Sequence, residues 1–212
     1  MKTSILEIIK WLFRVLGYAA SLFNINPFFT NLVRSSVYSG YYSSRLKYLG
    51  RGSHILKTIN LIGGKYISID SGFVCLGNLR LEAFEKHLNK VYSPVISIGK
   101  NVGINFDCHI GAINRIVIGD NVLLASKVFI TDHSHGDTTM STLKNSPSRR
   151  TLISKGPVII GNNVWVGEGV AIMPNVTIGE NCIIGANAVV TKDIPANCVA
   201  AGIPAKVIKV IS

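Results

Sequence analysis

The stretch Val158-Ile-Ile-Gly-Asn-Asn-Val-Trp-Val-Gly-Glu-Gly-Val-Ala-Ile-Met-Pro-Asn-Val-Thr-Ile178 carries an aliphatic residue at every sixth position: Ile160, Val166, Ile172 and Ile178. A strand has a side-chain period of two and an α-helix one of 3.6, so neither explains a period of six. A coil explains it if each six-residue unit forms one short strand and one corner. The aliphatic residue then points inward and stacks on its equivalent one turn away. The stretch therefore predicts a parallel β-coil with a narrow aliphatic core.

The six-residue period extends in both directions from this stretch. It slips by two residues at Ile116-Val117 and is broken by two polar segments, residues 84–94 and 132–156. A break inside a regular coil has to loop outward, and function concentrates in such loops. Glycine and asparagine recur beside the aliphatic positions, where they adopt the positive φ of a corner at low cost. The aliphatic positions outside the opening stretch are Ile69, Cys75, Leu81, Ile98, Ile104, Ile110, Ile118, Leu124, Ile130, Ile184 and Val190.

The composition fits one globular domain with a sizeable core. Of the 212 residues, 48% are hydrophobic and 16% are charged, which excludes a disordered polymer. The formal net charge of +11 favours phosphate-bearing partners, but the chain has no nucleic-acid-binding motif, so we expect no nucleic acid as a partner. The four cysteines form no CxxC pair, which indicates neither a zinc site nor a disulfide framework and favours the cytoplasm.

Residues 3–23 are predicted to form an amphipathic helix. Glu7, Lys10 and Arg14 recur there at three- and four-residue steps among apolar residues. Three charges in so short a span argue against a membrane-spanning helix. Two roles stay open for it: packing on the same chain or a neighbouring subunit, and lying on an anionic membrane surface, which would be the inner face.

Three motifs carry a resemblance to a known family. They are Ile130-Thr-Asp-His-Ser-His-Gly136, the segment from Gly156 to Gly167, and the segment from Gly185 to Pro195, which leads into Ala201-Gly-Ile-Pro-Ala-Lys206. With the six-residue period, they resemble the hexapeptide-repeat acyltransferases, which include galactoside, maltose and xenobiotic acetyltransferases. The long basic N-terminal extension is most similar to the polysaccharide O-acetyltransferase branch. The resemblance implies homotrimers with active sites between subunits and acetyl-CoA as the donor.

The fold class implied is mainly β. We expect a left-handed parallel β-helix over residues 53–209, with excursion loops near residues 84–94 and 132–156. A helical or irregular extension over residues 1–52 precedes it, and residues 24–52 show no clear period.

Acetyl transfer to an alcohol needs a base, because a hydroxyl attacks a thioester poorly until its proton is being removed. By resemblance, the family's catalytic histidine maps to His133, where the chain leaves the coil. The alternative for His133 is a solvated loop histidine. His135 is a second candidate for the base or a substrate contact. Asp132 is a weaker candidate for orienting an imidazole, because adjacent residues often point apart.

Two further residues are assigned to the acceptor by resemblance. Asn105 aligns with an asparagine that contacts the acceptor hydroxyl, and Trp165 with an indole beside the active site. A corner asparagine that satisfies its own backbone and a packing tryptophan are the alternatives. For coenzyme A, the resemblance implies Gly167, Ala186, Thr191, Lys192 and Lys206, although both lysines are also ordinary surface charges.

The resemblance thus implies an acetyl-CoA-dependent O-acetyltransferase that requires no metal and acts on a sugar hydroxyl of a surface polysaccharide or its precursor. One alternative is a γ-type carbonic anhydrase with zinc on His109, His133 and His135, although the spacing of these histidines departs from that family's. The others are an N-acetyltransferase of a nucleotide amino sugar and a non-catalytic scaffold at the membrane surface.

Overall fold

The computed structural model describes residues 5–22 and 27–211. Its backbone winds into a left-handed parallel β-helix with three sheets around one aliphatic core, preceded by two α-helices. The helices are α1 (Ile5–Leu22), α2 (Pro27–Ser43) and α3 (Met140–Leu143), and single 3-10 turns span Gly64–Tyr66 and Pro147–Arg149.

The strands are short, as expected if each unit contributes one strand and one corner. In chain order they are β1 (Tyr48–Leu49), β2 (His54–Ile55), β3 (Ile59–Ile62), β4 (Ile67–Ile69), β5 (Val74–Cys75), β6 (Leu79–Ala83), β7 (Lys86–His87), β8 (Lys90–Val91), β9 (Val95–Ile98), β10 (Gly103–Ile104), β11 (His109–Ala112), β12 (Arg115–Ile118), β13 (Leu123–Leu124), β14 (Phe129–Thr131), β15 (His133–His135), β16 (Leu152–Ser154), β17 (Val158–Ile160), β18 (Trp165–Val166), β19 (Ala171–Ile172), β20 (Val176–Ile178), β21 (Ile183–Ile184), β22 (Val189–Val190), β23 (Cys198–Gly202) and β24 (Ala205–Val210).

Apart from the excursion strands β7, β8, β15 and β16, successive strands up to β22 enter the three sheets of the coil in turn. Sheet A has the order β1-β4-β9-β12-β17-β20, sheet B the order β2-β5-β10-β13-β18-β21-β23-β24, and sheet C the order β3-β6-β11-β14-β19-β22. Neighbouring strands are parallel, apart from the antiparallel pair β23 and β24. In the opening stretch Ile160 pairs with Ile178, so each aliphatic residue stacks on its equivalent three units later. This register confirms the predicted coil.

The segment without a clear period forms α2 and the start of the coil. The side chain of Tyr42 is buried against the first turn, and its hydroxyl donates to the carbonyl of Ile59 at 2.9 Å and accepts from the N–H of the same residue at 2.7 Å. The helix thereby covers the open end of the aliphatic core. The coil itself begins at Tyr48, slightly before the expected start at residue 53.

The predicted amphipathic helix is observed as α1, within the range of residues 3–23. The ends of that range lie outside the described residues. Lys10 forms an ion pair with Glu7 at 2.8 Å along the polar stripe. The described apolar side chains of α1 are exposed, among them Trp11, Phe13 and Leu16.

One corner of the coil is held by a ladder of asparagine side chains. Each amide donates to the next carbonyl oxygen at 2.9–3.2 Å, and all members have φ between 55° and 58°. Asparagine tolerates this conformation better than most residues, as the sequence predicted for the corners. The ladder comprises Asn101, Asn121, Asn163, Asn181 and Asn197.

Gly161→Ala should destabilise the coil by about 2–3 kcal/mol. A Cβ there would lie 2.6 Å from the backbone nitrogen of Glu180 and 2.9 Å from the carbonyl carbon of Gly179, neither of which can move without displacing the next turn. Denaturant unfolding measures the change. Gly40→Ala in α2 is the matched control, since nothing lies within 4 Å of its Cβ position. Equal stability of the two variants would contradict the packing argument.

Candidate active site

The second break in the period forms a closed excursion from the coil. Asp132 follows directly after β14, His133 begins β15, and β15 pairs antiparallel with β16, which brings the chain back. The two excursions also contact each other: Tyr92 donates a hydrogen bond to the carbonyl of Leu152 at 3.0 Å, and His87 bonds the carbonyl of Arg150 at 3.1 Å. The loops therefore brace one side of a common cleft.

Asp132 is fully buried and links the coil to His133. Its Oδ1 accepts from the backbone N–H of Ile113 at 3.0 Å, and its Oδ2 accepts from the N–H of Asn114 at 2.8 Å. Nδ1 of His133 lies 3.0 Å from the same Oδ1. Because an ionised carboxylate only accepts hydrogen bonds, Nδ1 carries the proton and Nε2 keeps its lone pair. This arrangement can position Nε2 as a base.

Asp132 was the weaker candidate for orienting an imidazole because adjacent residues often point apart, but here its carboxylate meets the ring of His133. The aliphatic positions Ile110 and Ile118 are eight residues apart, two more than the period, so the intervening corner has an extended backbone loop. That corner presents the N–H groups of Ile113 and Asn114 to the next turn. They hold the carboxylate of Asp132 beside the ring of its neighbour.

His133 opens into a cleft of about 200 Å³. The ring of Phe84 packs against its imidazole in a T-shaped arrangement, with ring centroids 5.9 Å apart, and the ring centroid of His135 lies 5.5 Å from that of His87. His133 is only 11% exposed, whereas His135 is solvent-exposed. The cleft is lined by Arg80, Glu82, Phe84, His109, Phe129, Thr131, His133 and His135.

Glu82 is a buried carboxylate in this cleft that the sequence analysis did not identify. It accepts hydrogen bonds from the guanidinium of Arg80 and from Nε2 of His109, the latter at 2.9 Å. Burial lowers the pKa of His109, and the positive charge of Arg80 lowers it further, while Glu82 opposes both effects. The sequence offered one sign of Glu82 as a site residue: it is a glutamate directly after the core position of Leu81 in a short strand.

Comparison with known proteins gives consistent results. The family model for bacterial transferase hexapeptide (six repeats) matches residues 157–192. The putative lipopolysaccharide biosynthesis O-acetyl transferase WbbJ of Escherichia coli K12 is 43% identical over 147 residues, which cover 68% of this chain and 71% of that protein. The chain is a member of the hexapeptide-repeat acetyltransferase family.

Two more comparisons place this acetyltransferase among enzymes named for sugars. The galactoside O-acetyltransferase of E. coli K12 is 43% identical over 126 residues, although the match spans only 57% of each chain. The solved maltose O-acetyltransferase from Clostridium difficile 630 is 32% identical, with a TM-score of 0.56 over 82% of this chain and 74% of that one. Membership of the acetyltransferase family argues against the alternative that the protein is a γ-type carbonic anhydrase.

The acetyltransferase does not bring all predicted site residues together within one chain. Asn105 and Gly167 occupy equivalent corner positions between sheets B and C, whereas His133 follows the opposite edge of sheet C. Thr191 lies at that same edge, in register with Thr131. Sheet C therefore separates Asn105 from His133.

The remaining predicted residues of the acetyltransferase are also distributed over the coil. Trp165 projects from sheet B and is half exposed, and Lys206 lies in β24 of the same sheet. Ala186 stacks directly on Gly167: a Cβ on Gly167 would lie 2.7 Å from the backbone nitrogen of Ala186. Glycine is thus required at position 167 by coil packing alone.

Two of the histidines considered as zinc ligands have carboxylate partners instead. One ring nitrogen of His109 bonds Glu82, and one of His133 bonds Asp132. Within residues 5–22 and 27–211, no group of three or more metal-ligating side chains is assembled.

Proposed function

We propose that the protein transfers the acetyl group of acetyl-CoA to a hydroxyl of a sugar, in a surface polysaccharide or its precursor, with His133 as the general base. The observation that carries the proposal is the bond between buried Asp132 and Nδ1 of His133, whose ring lines a cleft. Relatives named for galactoside, maltose and lipopolysaccharide support a sugar acceptor. We place this reaction in the cytoplasm, because its reducing conditions are compatible with four free, buried cysteines.

In the proposed reaction, Nε2 of His133 removes the acceptor proton as the hydroxyl oxygen bonds to the acetyl carbon. The carbon–sulfur bond breaks, and the proton passes from His133 to the leaving thiolate. No acyl-enzyme is needed. Cys75 and Cys108 are unsuited to a nucleophilic role, because burial raises the pKa of the Cys75 thiol to about 12 and that of Cys108 to about 11.

The donor is proposed to bind along the corner that carries Gly167 and Ala186, with Thr191, Lys192 and Lys206 toward the nucleotide phosphates. A solved galactoside acetyltransferase that is 29% identical to this chain, with a TM-score of 0.53, is a complex with coenzyme A. We further propose a homotrimer in which Asn105 and Trp165 of one subunit meet His133 of the next. The separation of Asn105 and His133 by sheet C supports this assignment.

The proposal is tested by following acetyl-CoA consumption with a panel of free sugars, glycosides and nucleotide sugars. Mass spectrometry of the product should show an acetyl ester on a sugar hydroxyl. Acetylation of an amine only would favour the N-acetyltransferase alternative. Binding of acetyl-CoA without turnover on any acceptor would contradict the proposed function.

The N-terminal helix α1 is proposed to lie on the surface of an anionic membrane. Its polar stripe contains Lys10 and Arg14, while Trp11, Leu12 and Leu16 are exposed on its other faces. A helix with one charged stripe and a broad apolar face binds at the lipid headgroup boundary. None of the described helices is long and apolar enough to cross a membrane.

Vesicle sedimentation measures this contact. The protein should sediment with vesicles of phosphatidylglycerol and phosphatidylcholine. Leu12→Glu should lower its partition coefficient about tenfold, because an apolar side chain that inserts into the lipid is replaced by a charge of the same sign as the lipid. Ser36→Glu on the exposed side of α2 is the matched control and should not change binding. Equal binding of wild type and Leu12→Glu would instead favour packing of α1 on protein.

A further inference from the structure

A second histidine–carboxylate pair lies in the cleft that holds His133. Nε2 of His109 is 2.9 Å from Oε2 of Glu82, and the Arg80 guanidinium donates to both oxygens of this carboxylate at 3.0 and 3.2 Å. Since the carboxylate accepts, Nε2 of His109 carries the proton and Nδ1 has the lone pair. No described residue forms a hydrogen bond with that Nδ1.

The two imidazoles are held through opposite nitrogens. Asp132 forms a hydrogen bond with Nδ1 of His133, and Glu82 forms one with Nε2 of His109. A Cβ on Gly111 would lie 3.3 Å from Nε2 of His109 and 3.5 Å from Cε1 of His133, so both rings flank one residue that has no side chain. Each ring thus keeps one unprotonated nitrogen as a hydrogen-bond acceptor, and both rings line one cleft of about 200 Å³.

Two imidazoles that each carry an acceptor and line one cleft match two neighbouring hydroxyl groups, such as those on a pyranose ring. The side walls suit the same ligand: Phe129 packs on His109 with ring centroids 5.2 Å apart, and Phe84 packs on His133. Aromatic faces provide apolar contact for the C–H groups of a sugar. Burial first, and then the positive charge of Arg80, lower the pKa of His109, which favours the neutral ring that can accept a hydrogen bond.

We propose that His109 is a specificity-determining residue, whose Nδ1 accepts a hydrogen bond from the hydroxyl next to the one that is acetylated. Glu82 is then the positioning residue that fixes the tautomer of His109. The substrate feature recognised is a pair of vicinal hydroxyls. This inference rests on the proposed function, because it concerns the acceptor of the same reaction.

The test compares kcat/KM for a sugar that the acetyl-CoA assay shows to be acetylated with kcat/KM for its monodeoxy analogue, which lacks the neighbouring hydroxyl. His109→Gln keeps an amide donor near the position of Nε2 but has no acceptor near that of Nδ1, whereas His109→Asn keeps that acceptor. On the complete sugar, His109→Gln should lower kcat/KM about tenfold and His109→Asn clearly less. When the complete sugar is replaced by the monodeoxy sugar, kcat/KM of the wild type should fall about tenfold, whereas kcat/KM of His109→Gln should not change.

The outcomes separate the inference from the function on which it rests. If sugars are acetylated but His109→Gln loses the same factor on both acceptors, the function stands and the role of His109 is wrong. Nitrogen-15 NMR that finds His109 protonated at Nδ1 would also overturn the inference alone. If no sugar is acetylated although acetyl-CoA binds, the proposed function and the inference both fail.

Discussion

His133→Ala should lower kcat for acetyl transfer about 10³-fold, because general bases typically contribute 10²–10⁴-fold. The protein should remain folded. The ring of His133 lines the cleft, where it contacts Phe84, Thr131 and Asp132, and it is not part of the aliphatic core, so its removal leaves that core intact. Acetyl-CoA consumption with a sugar acceptor gives kcat, and direct titration gives the affinity for acetyl-CoA, which should change little.

The neighbouring histidine provides the control for this prediction. His135→Ala removes an exposed imidazole from the same excursion and should lower kcat less than tenfold. A large loss in His135→Ala together with a small one in His133→Ala would assign the base to His135. In that case the bond from His133 to Asp132 would serve only to hold the excursion closed.

Asp132→Asn should lower kcat about 10²-fold and the free energy of unfolding by about 1–3 kcal/mol. The carboxylate accepts three hydrogen bonds, from the N–H groups of Ile113 and Asn114 and from Nδ1 of His133. An amide offers one oxygen and one NH₂ group, so it must oppose a donor with a donor or reverse the tautomer of His133. Either change leaves a buried group unsatisfied or protonates Nε2.

Two measurements separate the catalytic effect of Asp132→Asn from its structural effect. In the His133→Ala background, Asp132→Asn should cost stability but little additional kcat, because the two residues act as a unit. Asp137→Asn is the matched control on the same excursion. Its carboxylate has a pKa lowered to about 2 by Thr139 and Thr142 but is exposed, so kcat should stay unchanged. Additive losses of kcat in the double variant would refute the positioning role.

The coil was predictable because the information that specifies it is local. Each hexapeptide carries its own inward aliphatic residue and its own corner residues, so reading positions such as Ile160 and Asn163 in order is sufficient to derive the period. The first break of the period, the loop over residues 84–94, was also visible as a polar segment. Residues 24–52 were not predictable in this way, because α2 is specified by Tyr42 packing over the end of the coil and not by a repeat.

The candidate site was only partly predictable. The motif around His133 indicated where the chain leaves the coil, and it contains the two candidate histidines. It did not reveal that the slip at Ile116-Val117 creates the corner whose N–H groups hold Asp132. It also gave no sign of Glu82, which precedes His109 by 27 residues yet bonds it directly.

The sequence by itself determined the repeat, the aliphatic core and the two points where the chain leaves the coil, since each depends on residues near one another in the chain. Only the tertiary structure decided which groups meet in the cleft. Stacking one turn on the next brings Asp132 to a corner 18 and 19 residues earlier and His109 to Glu82, and a register of turns is a long-range property that no single hexapeptide contains.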